Sequence, residues 1–499
     1  MLKDGKLMIG KADDLEISMI PSMMNRHGLI AGASGTGKTV TLKVIAESLS
    51  DLGVPTFIAD VKGDLSGMIR EGDMSGIQDR LDSMGVEDYE VCKYPVHFYD
   101  VYRENGHPIR AVLQDMDPVL LARILELTDA QEGVLNIIFK AAEDMQLDLI
   151  DLKDLQAMTE YVGQHTADLT VKYGNVAKQS VGAIQRKLLQ LEQQGGTQMF
   201  GMPAMNIDDF MVTEGGKGMM NILECSKLFQ HPMLYSTFLL WLLDTIYTTM
   251  PEVGDSGKPK MVFFFDEAHL LFDDGSKEMQ SRVEQIIKLI RSKGIGVFFC
   301  TQSPADIPSA VLAQLSNRIQ HSLRAYTPAE IKAVKQAAES FRQNPDLDAA
   351  DLICNMKTGQ ALVSVLDEEG APTIVQKTKI LPPRSSMSAA DADAISRAVK
   401  GDSIYGKYEK DIDPESAYER MEALYAQEEE EKQLAAEKKK QEKIEEAKAK
   451  EEAKAQAKKE KEKAEALGKF GKKIVNRVEN EAVNYGVKSA KKLLKSLLK

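Results

Sequence analysis

Cysteine is scarce in this chain, since only four cysteines occur among 499 residues. Cys92, Cys225, Cys300 and Cys354 are scattered along the sequence, and no two of them form a C-x-x-C pair. The spacing therefore predicts neither a zinc site nor a disulfide framework. Reduced, structural thiols of this kind are typical of a cytosolic protein.

Long apolar runs and a surplus of positive charge are also missing. Residues 1–6 contain no hydrophobic stretch of signal-peptide length. The most apolar long segment, residues 233–250, includes Asp244 and other polar residues, which favours a buried helix over a membrane span. The net charge of −13 indicates that the surface as a whole is not basic enough to bind nucleic acid non-specifically. Contact with DNA therefore requires a local basic channel. We therefore expect a soluble, cytoplasmic protein.

Short apolar runs of strand type alternate with helical patterns from Gly28 onward. The runs fall at residues 29–31, 56–59, 96–99, 219–223, 261–265, 297–300, 319–323 and 361–366. This alternation predicts an α/β fold with a mainly parallel sheet and helices on both faces. Between residues 115 and 191, apolar residues recur at three- and four-residue spacings, which predicts a helical insertion within the α/β core.

Composition divides the chain into six predicted segments. Residues 1–114 and 216–381 form the two parts of one core, and residues 115–215 form the mainly helical insertion. Pro382 and Pro383 stop both helix and strand, so residues 382–427 are predicted to be a linker with short helices. Glu, Lys and Ala dominate residues 428–467, a pattern typical of a solvated, partly frayed single helix rather than a coiled coil, because a sustained apolar seam is missing.

The sixth segment, residues 468–499, has the pattern of a basic amphipathic helix. Its apolar face and its lysines occupy different sides: the apolar positions are Val483, Val487, Ala490, Leu494 and Leu497, and the lysines are Lys488, Lys491, Lys492, Lys495 and Lys499. Such a helix suits an anionic membrane, nucleic acid, a partner protein or the chain's own acidic surface. The sequence leaves these alternatives for residues 472–499 open.

A phosphate-binding loop follows the first apolar run. Residues 32–39 fit the pattern G-x-x-x-x-G-K-[ST] at every fixed position. Its glycines allow backbone N–H groups to turn toward phosphates at the N-terminus of a helix. Lys38 is expected to reach the β- and γ-phosphates, and the Thr39 hydroxyl is expected to ligate Mg²⁺. The motif predicts binding of ATP with Mg²⁺ through Gly32, Ala33, Ser34, Gly35, Thr36, Gly37, Lys38 and Thr39.

Two carboxylates end the apolar run at residues 261–265. A buried central strand delivers its last residues to the carboxyl edge of the sheet, so Asp266 is expected to hold the Mg²⁺ shell. Glu267 is then placed to polarise the water that attacks the γ-phosphate. Gln302, after the next strand, is expected to sense the γ-phosphate or position the water, with capping of the following turn as the alternative. Together these residues predict hydrolysis of a triphosphate.

A cation near the end of the helix before that next strand is suited to act across a subunit boundary. Arg291 and Lys293 lie there, just before Gly294, although cations at a helix C-terminus are common for dipole reasons alone. Arg318 and Arg324, on or near the following strand, are rival candidates. We rank Arg291 first for stabilising the charge on the γ-phosphate.

These motifs jointly resemble the HerA/FtsK superfamily of ring-forming, ATP-driven DNA translocases and helicases. The resemblance rests on the phosphate loop, F-F-F-D-E-A-H, L-I-R-S-K-G-I-G-V, C-T-Q-S-P and L-S-N-R-I, and within the superfamily the chain is similar to the bacterial HerA-like ATPases. It spans about residues 7–383 and implies a RecA-like core, a hexamer with ATP at the subunit interfaces, and an arginine from the neighbour that corresponds to Arg291. HerA proteins carry a β-barrel domain before the phosphate loop, whereas in this sequence residues 1–31 precede the loop.

Three functions compete at this point. The leading hypothesis is an ATPase motor, a helicase or DNA translocase, in which hydrolysis at Lys38, Thr39, Asp266 and Glu267 moves subunits relative to one another. The alternative is an ATP-dependent scaffold or membrane-associated switch whose basic C-terminal helix docks on a lipid surface or a protein. A small-molecule kinase is a weaker third hypothesis, because a water-activating Glu267 opposes transfer to another acceptor.

Overall fold

The computed structural model describes residues 1–254, 256–272 and 277–484. The chain divides into two compact units, Met1–Met421 and Glu422–Lys499. The first unit contains the sheet and the helices packed on it. In the second, the described residues belong to one helix.

One large sheet organises the first unit. Its middle is parallel, and its strand order is β1-β2-β15-β14-β13-β4-β12-β11-β5-β10-β6-β7, with β3 paired to β2. The strands of this sheet are β1 (Leu2–Lys3), β2 (Lys6–Ala12), β3 (Leu15–Met19), β4 (Gly28–Ala31), β5 (Thr56–Asp60), β6 (Val96–Asp100), β7 (His107–Pro108), β10 (Met220–Glu224), β11 (Met261–Phe265), β12 (Ile295–Thr301), β13 (Asn317–His321), β14 (Gln360–Ser364) and β15 (Gln376–Ile380). Strands β8 (Thr213–Glu214) and β9 (Lys217–Gly218) form a separate two-stranded sheet.

Helices cover the sheet and form the segment between β7 and β8. The helices are α1 (Lys38–Asp51), α2 (Met74–Asp82), α3 (Pro118–Ile124), α4 (Asp129–Asp144), α5 (Leu152–Gln164), α6 (Thr166–Tyr173), α7 (Lys178–Gln193), α8 (Gly196–Met199), α9 (Pro232–Thr249), α10 (Lys277–Ile290), α11 (Ser309–Leu312), α12 (Pro328–Glu339), α13 (Ala349–Asn355), α14 (Ala392–Gly401) and α15 (Ala417–Asn484). The predicted α/β fold, with helices inserted into the core and a long charged C-terminal helix, is confirmed.

The predicted strands lie in the parallel block or next to it. Each of the eight apolar runs overlaps one of β4, β5, β6, β10, β11, β12, β13 and β14. Strand β11 is buried along its whole length, because helices cover both faces of a parallel sheet and an uninterrupted apolar run suits such a position. The antiparallel pairs β13–β14, β14–β15 and β15–β2 extend the sheet at one side.

The most apolar long segment forms helix α9, which is buried over most of its length. Its one acidic residue, Asp244, pairs with Arg282 of α10 at 2.5 Å, so the charge is neutralised inside the unit. Among the described residues, no helix has both the length and the apolarity that crossing a bilayer requires.

Two histidines at the far edge of the sheet bind carboxylates from the segment after α14. His107 in β7 places Nε2 3.1 Å from Asp402 Oδ2 and Nδ1 2.6 Å from Glu409 Oε1. His97 Nε2 lies 3.1 Å from the other oxygen of Asp402. Both ring nitrogens of His107 face anionic acceptors, so the ring carries both protons. Burial opposes this charge, but the two carboxylates outweigh it and raise the pKa of His107.

Asp402→Asn is expected to lower the free energy of unfolding by about 3 kcal/mol near pH 6, because it removes one partner from a buried ionic cluster. Protonated His107 stabilises the fold fully below its ordinary pKa of 6.5. The contribution is lost as the pH rises through the higher pKa of the folded state. Urea unfolding at about pH 6 and pH 9 measures the effect, which should shrink at pH 9.

The matched control for this prediction is Glu368→Gln, which breaks the exposed Lys6–Glu368 pair of 3.1 Å. It should change the unfolding free energy by less than about 1 kcal/mol. An Asp402→Asn effect of the same size at both pH values would contradict the charged state of His107.

Candidate active site

Three of four adjacent parallel strands bring the predicted site residues other than Arg291 to one edge of the sheet. Strands β4, β12, β11 and β5 lie side by side in this order, and parallel strands present their carboxyl ends at the same edge. The phosphate loop follows β4, Gln302 follows β12, and Asp266 and Glu267 follow β11. The residues that the sequence placed on separate strands therefore converge on one cleft.

The phosphate loop leads from β4 into α1 as the motif predicts. Gly35 has a φ of 75° and Gly37 a φ of 115°, a region that residues with a Cβ rarely adopt. The N–H of Gly32 donates to the Thr301 carbonyl at 3.2 Å, and the N–H of Ala33 donates to the Ser322 carbonyl at 2.8 Å. These bonds fasten the start of the loop to its neighbours β12 and β13.

Lys38 is buried and bonds within the loop. Its Nζ donates to the Gly32 carbonyl at 2.6 Å and to the Ala33 carbonyl at 3.4 Å. Burial lowers the pKa of Lys38, and so does the charge of Lys62, whereas Glu267 and Asp266 act in the opposite direction. The 2.7 Å contact between Lys62 and Glu267, and the adjacent parallel strands that end beside them, place both lysines and both acids at the same cleft. Thr39, the next residue in α1, is half-buried.

The two acids after β11 are both only 6% exposed. Burial raises the pKa of Asp266. Glu267 adopts the left-handed conformation, with φ 49° and ψ 49°. Its carboxylate lies 2.7 Å from Lys62 Nζ, and it accepts a bond of 3.4 Å from the exposed amide of Gln302. Burial disfavours the charged form of Glu267, but Lys62 outweighs it and lowers the pKa.

Two further residues belong to the site and were not predicted from the sequence: Asp60, the last residue of β5, and Lys62, which follows the strand. The Asp60 carboxylate accepts N–H bonds from Lys62 at 3.2 Å, Gly63 at 2.8 Å and Leu65 at 2.9 Å, which shape the turn that carries Lys62. Burial raises the pKa of Asp60 to about 6. The signal was present, because an acid and a lysine directly follow a predicted parallel strand.

A buried histidine supports the phosphate loop from β13. His321 Nδ1 lies 3.0 Å from the Gln360 carbonyl, and Nε2 lies 2.8 Å from the Thr41 hydroxyl. Since a carbonyl only accepts, Nδ1 carries the proton and Thr41 donates to Nε2. Burial lowers the pKa of His321 to about 4, so this support is neutral.

Gly359, just before β14, joins the phosphate loop to a second element. Its N–H donates to the Thr36 carbonyl at 3.0 Å. Its carbonyl accepts from Arg80 Nη2 at 2.6 Å, and the same nitrogen donates to the Ile380 carbonyl at 2.6 Å. Gly359 has a φ of 76°, and a Cβ there would lie 2.8 Å from the Arg80 guanidinium. The positive φ therefore favours glycine at this junction, and a Cβ would also displace the Arg80 side chain.

The three candidate arginines occupy different places. Arg291 lies in a short 3₁₀ turn (Arg291–Lys293) before β12 begins, so seven strand residues, about 23 Å, separate it from the edge that carries Gln302. The Arg318 guanidinium donates to the carbonyls of Leu312, Leu315 and Ser340. Arg324 follows β13 and is exposed at the same edge as the phosphate loop. None of these three forms an ion pair among the described residues.

The cleft contains few oxygen donors for a metal. The Thr39 hydroxyl and the Asp266 carboxylate are hard donors, which suit Mg²⁺. Across the described ranges, no cluster of three or more His, Cys, Asp or Glu side chains suits a metal ion. This donor set fits an ion that uses one or two protein ligands and completes its shell with phosphates and water.

The fold and the loop define a P-loop ATPase of the HerA/FtsK type. The chain belongs to the helicase HerA-like C-terminal family, whose model matches residues 6–499. It is similar to the DNA double-strand break repair helicase HerA of Sulfurisphaera tokodaii, with 18% identity over 372 residues that cover 73% of this chain and 67% of that protein.

Solved structures share the architecture. The plasmid coupling protein TrwB in complex with the GTP analogue GDPNP superposes with a TM-score of 0.53 and 14% identity, covering 78% of this chain and 94% of that chain. TrwB in complex with ADP and Mg²⁺ gives a TM-score of 0.50 and 15% identity, with the same coverage. At this identity the likeness shows the fold, and the RecA-like core implied by the sequence is confirmed.

Proposed function

We propose that this protein is an ATP-hydrolysing motor that translocates on or remodels DNA as a ring oligomer in the cytoplasm. The observation that carries the proposal is the convergence of Lys38, Asp266 and Glu267 in one cleft at the carboxyl edge of the sheet. Membership of the HerA-like family and the similarity to a DNA repair helicase support the choice of DNA.

Each residue of the cleft has a proposed role in hydrolysis. The loop of residues 32–39 binds the triphosphate, with Lys38 on its β- and γ-phosphates. Thr39 and Asp266 would hold Mg²⁺, which would help to neutralise the negative charge of the triphosphate. Glu267 accepts a proton from the attacking water, and Gln302 orients that water or senses the γ-phosphate. The TrwB complexes with a nucleotide analogue and with ADP and Mg²⁺ support these cofactors.

The proposed oligomer is a homo-hexamer in which an arginine acts in trans. Arg291 lies at the edge of the sheet opposite its own phosphate loop, where it is suited to face the cleft of a neighbouring subunit. Arg318 is a poorer candidate, because three carbonyls of its own subunit already hold its guanidinium. Arg324 lies at the edge that carries its own loop, so it is better placed to act within its own subunit.

DNA is expected to raise the ATPase rate of the purified protein severalfold at low salt. Because contacts with phosphates release counterions, the apparent affinity for DNA should fall about tenfold or more between about 50 and 200 mM salt. Phosphate release measured against the concentration of duplex and single-stranded DNA tests this, with Lys38→Ala as the control for contaminating ATPases. Hydrolysis that is indifferent to both DNA and RNA at low salt would refute the motor.

The scaffold alternative depends on residues 472–499. The structure describes this region as part of α15 only to Asn484, and Val487, Ala490, Leu494, Leu497 and the five lysines of the predicted basic face lie outside the described residues. The described residues provide no observation that favours docking on a membrane or a partner protein over the motor. Removal of residues 472–499 followed by liposome sedimentation would test the alternative directly.

A further inference from the structure

The Lys62 side chain holds the carboxylate that the proposed function uses as a base. Lys62 Nζ lies 2.7 Å from Glu267 Oε1. The two partners differ in exposure, since the side chain of Lys62 is 41% exposed and that of Glu267 is 8% exposed. A flexible four-carbon stem carries the ammonium, whereas Glu267 follows a fully buried strand. Lysine is therefore the partner that is free to move.

Lys62 also belongs to the cleft that receives the triphosphate. Its charge acts on Lys38, the lysine of the phosphate loop, and on Asp266. Both lysines bond to protein oxygens, Lys38 to the Gly32 carbonyl and Lys62 to Glu267. A terminal phosphate presents the same kind of acceptor as a carboxylate, an anionic oxygen, and it carries more charge. The two anions therefore compete for one ammonium.

We propose that Lys62 recognises the terminal phosphate of a bound nucleoside triphosphate and, by moving to it, releases Glu267. A diphosphate lacks that phosphate, so Lys62 stays on Glu267 when ADP is bound. Lys62 thus gives the site its preference for a triphosphate and couples that preference to the freeing of the base. This inference rests on the proposed function, because it assumes that the cleft binds and hydrolyses ATP.

Nucleotide binding to the Lys62→Gln variant tests the recognition step without hydrolysis. The β,γ-imido analogue of ATP should bind at least about tenfold more weakly than to the wild-type protein, because a charge-assisted bond is lost. The affinity for ADP should change less than about twofold. Calorimetric titration with Mg²⁺ measures both, and Lys62→Arg, which keeps the cation, should recover part of the lost affinity.

Lys3→Gln is the matched control. Lys3 is 43% exposed and pairs with Glu16 at 2.5 Å, so the variant also removes one half-exposed ion pair and one positive charge. Lys3 lies in β1, the edge strand of the sheet. Its removal should leave the affinity for both nucleotides within about twofold of the wild-type value.

A double-mutant cycle tests the competition itself. Glu267→Gln removes the anion that holds Lys62, so it should strengthen binding of the triphosphate analogue by about threefold or more. In the Lys62→Gln/Glu267→Gln double variant this gain should vanish, because the ammonium that benefits from it is absent. Non-additive effects of the two substitutions on binding would show that the Lys62 and Glu267 side chains interact energetically.

Three results would overturn the inference: equal weakening of ADP and the triphosphate analogue by Lys62→Gln, unchanged binding of both, or a Glu267→Gln gain that persists without Lys62. The double-mutant cycle uses only variants whose urea unfolding midpoints match that of the wild-type protein. The proposed function fails separately, because ATP hydrolysis that is indifferent to both DNA and RNA would refute the motor, whatever Lys62 does to nucleotide binding.

Discussion

Replacing Glu267 with glutamine is expected to lower the rate of ATP hydrolysis by about 10²–10⁴-fold, the usual contribution of a positioned general base. Glutamine keeps the size and the hydrogen-bonding ability of the side chain but cannot accept the proton of the attacking water. The phosphate loop is unchanged, so the variant should still bind the triphosphate. Phosphate release at saturating ATP, together with the binding titration, measures the two effects separately.

The control for this prediction is Glu16→Gln, at a carboxylate that pairs with Lys3 at the sheet's outer edge. Its ATPase rate should equal that of the wild-type protein. A Glu267→Gln variant that hydrolyses ATP within about threefold of the wild-type rate would assign the base to another group, and Asp60, the buried acid of the neighbouring strand, would then be the next residue to replace.

Replacing Arg291 with alanine is expected to lower the rate of ATP hydrolysis by about 10³–10⁵-fold, the contribution of an arginine that stabilises the charge of the transferring phosphate. The effect should appear in the turnover number of the assembled protein. Binding of ATP to the phosphate loop should change little, because Arg291 lies at the opposite edge of its own sheet. Arg324→Ala, at the loop's own edge, is the comparison variant.

Mixing two inactive variants distinguishes action in trans from action in cis. Lys38→Ala lacks a working phosphate loop, and Arg291→Ala lacks the arginine. If the arginine crosses the subunit boundary, mixed assemblies contain sites with an intact loop from one subunit and an intact arginine from the next, and activity returns. A mixture that stays as inactive as its two components would exclude Arg291 as the residue supplied by the neighbour.

The parts of the site that the sequence predicted are those encoded in short, continuous patterns. The loop from Gly32 to Thr39 depends on local backbone geometry, and Asp266 and Glu267 follow five apolar residues that only a buried strand accommodates. Parallel neighbours then place their ends at one edge, so the cleft could be inferred without a structure. The roles of individual residues within it stay predictions.

The parts that were missed depend on contacts between distant segments. Lys62 meets Glu267 only because β5 and β11 are adjacent, and the order of strands is not written in either segment. The His107 cluster joins residues about 300 positions apart. Strand β15 has one apolar residue, Ile380, and lies at the antiparallel side of the sheet, where continuous hydrophobicity is not required, so its sequence contains no apolar run that would predict a strand.

The junction at Gly359 has a mechanical consequence. One glycine is tied on its amide side to the nucleotide-binding turn and on its carbonyl side to Arg80, and Arg80 also grips Ile380, which is paired with Gly10 of β2. These hydrogen bonds connect the phosphate loop to β15 and β2 with little freedom for relative movement. We therefore expect a displacement of the phosphate loop to be transmitted through Gly359, Arg80 and Ile380 to the N-terminal hairpin of β2 and β3.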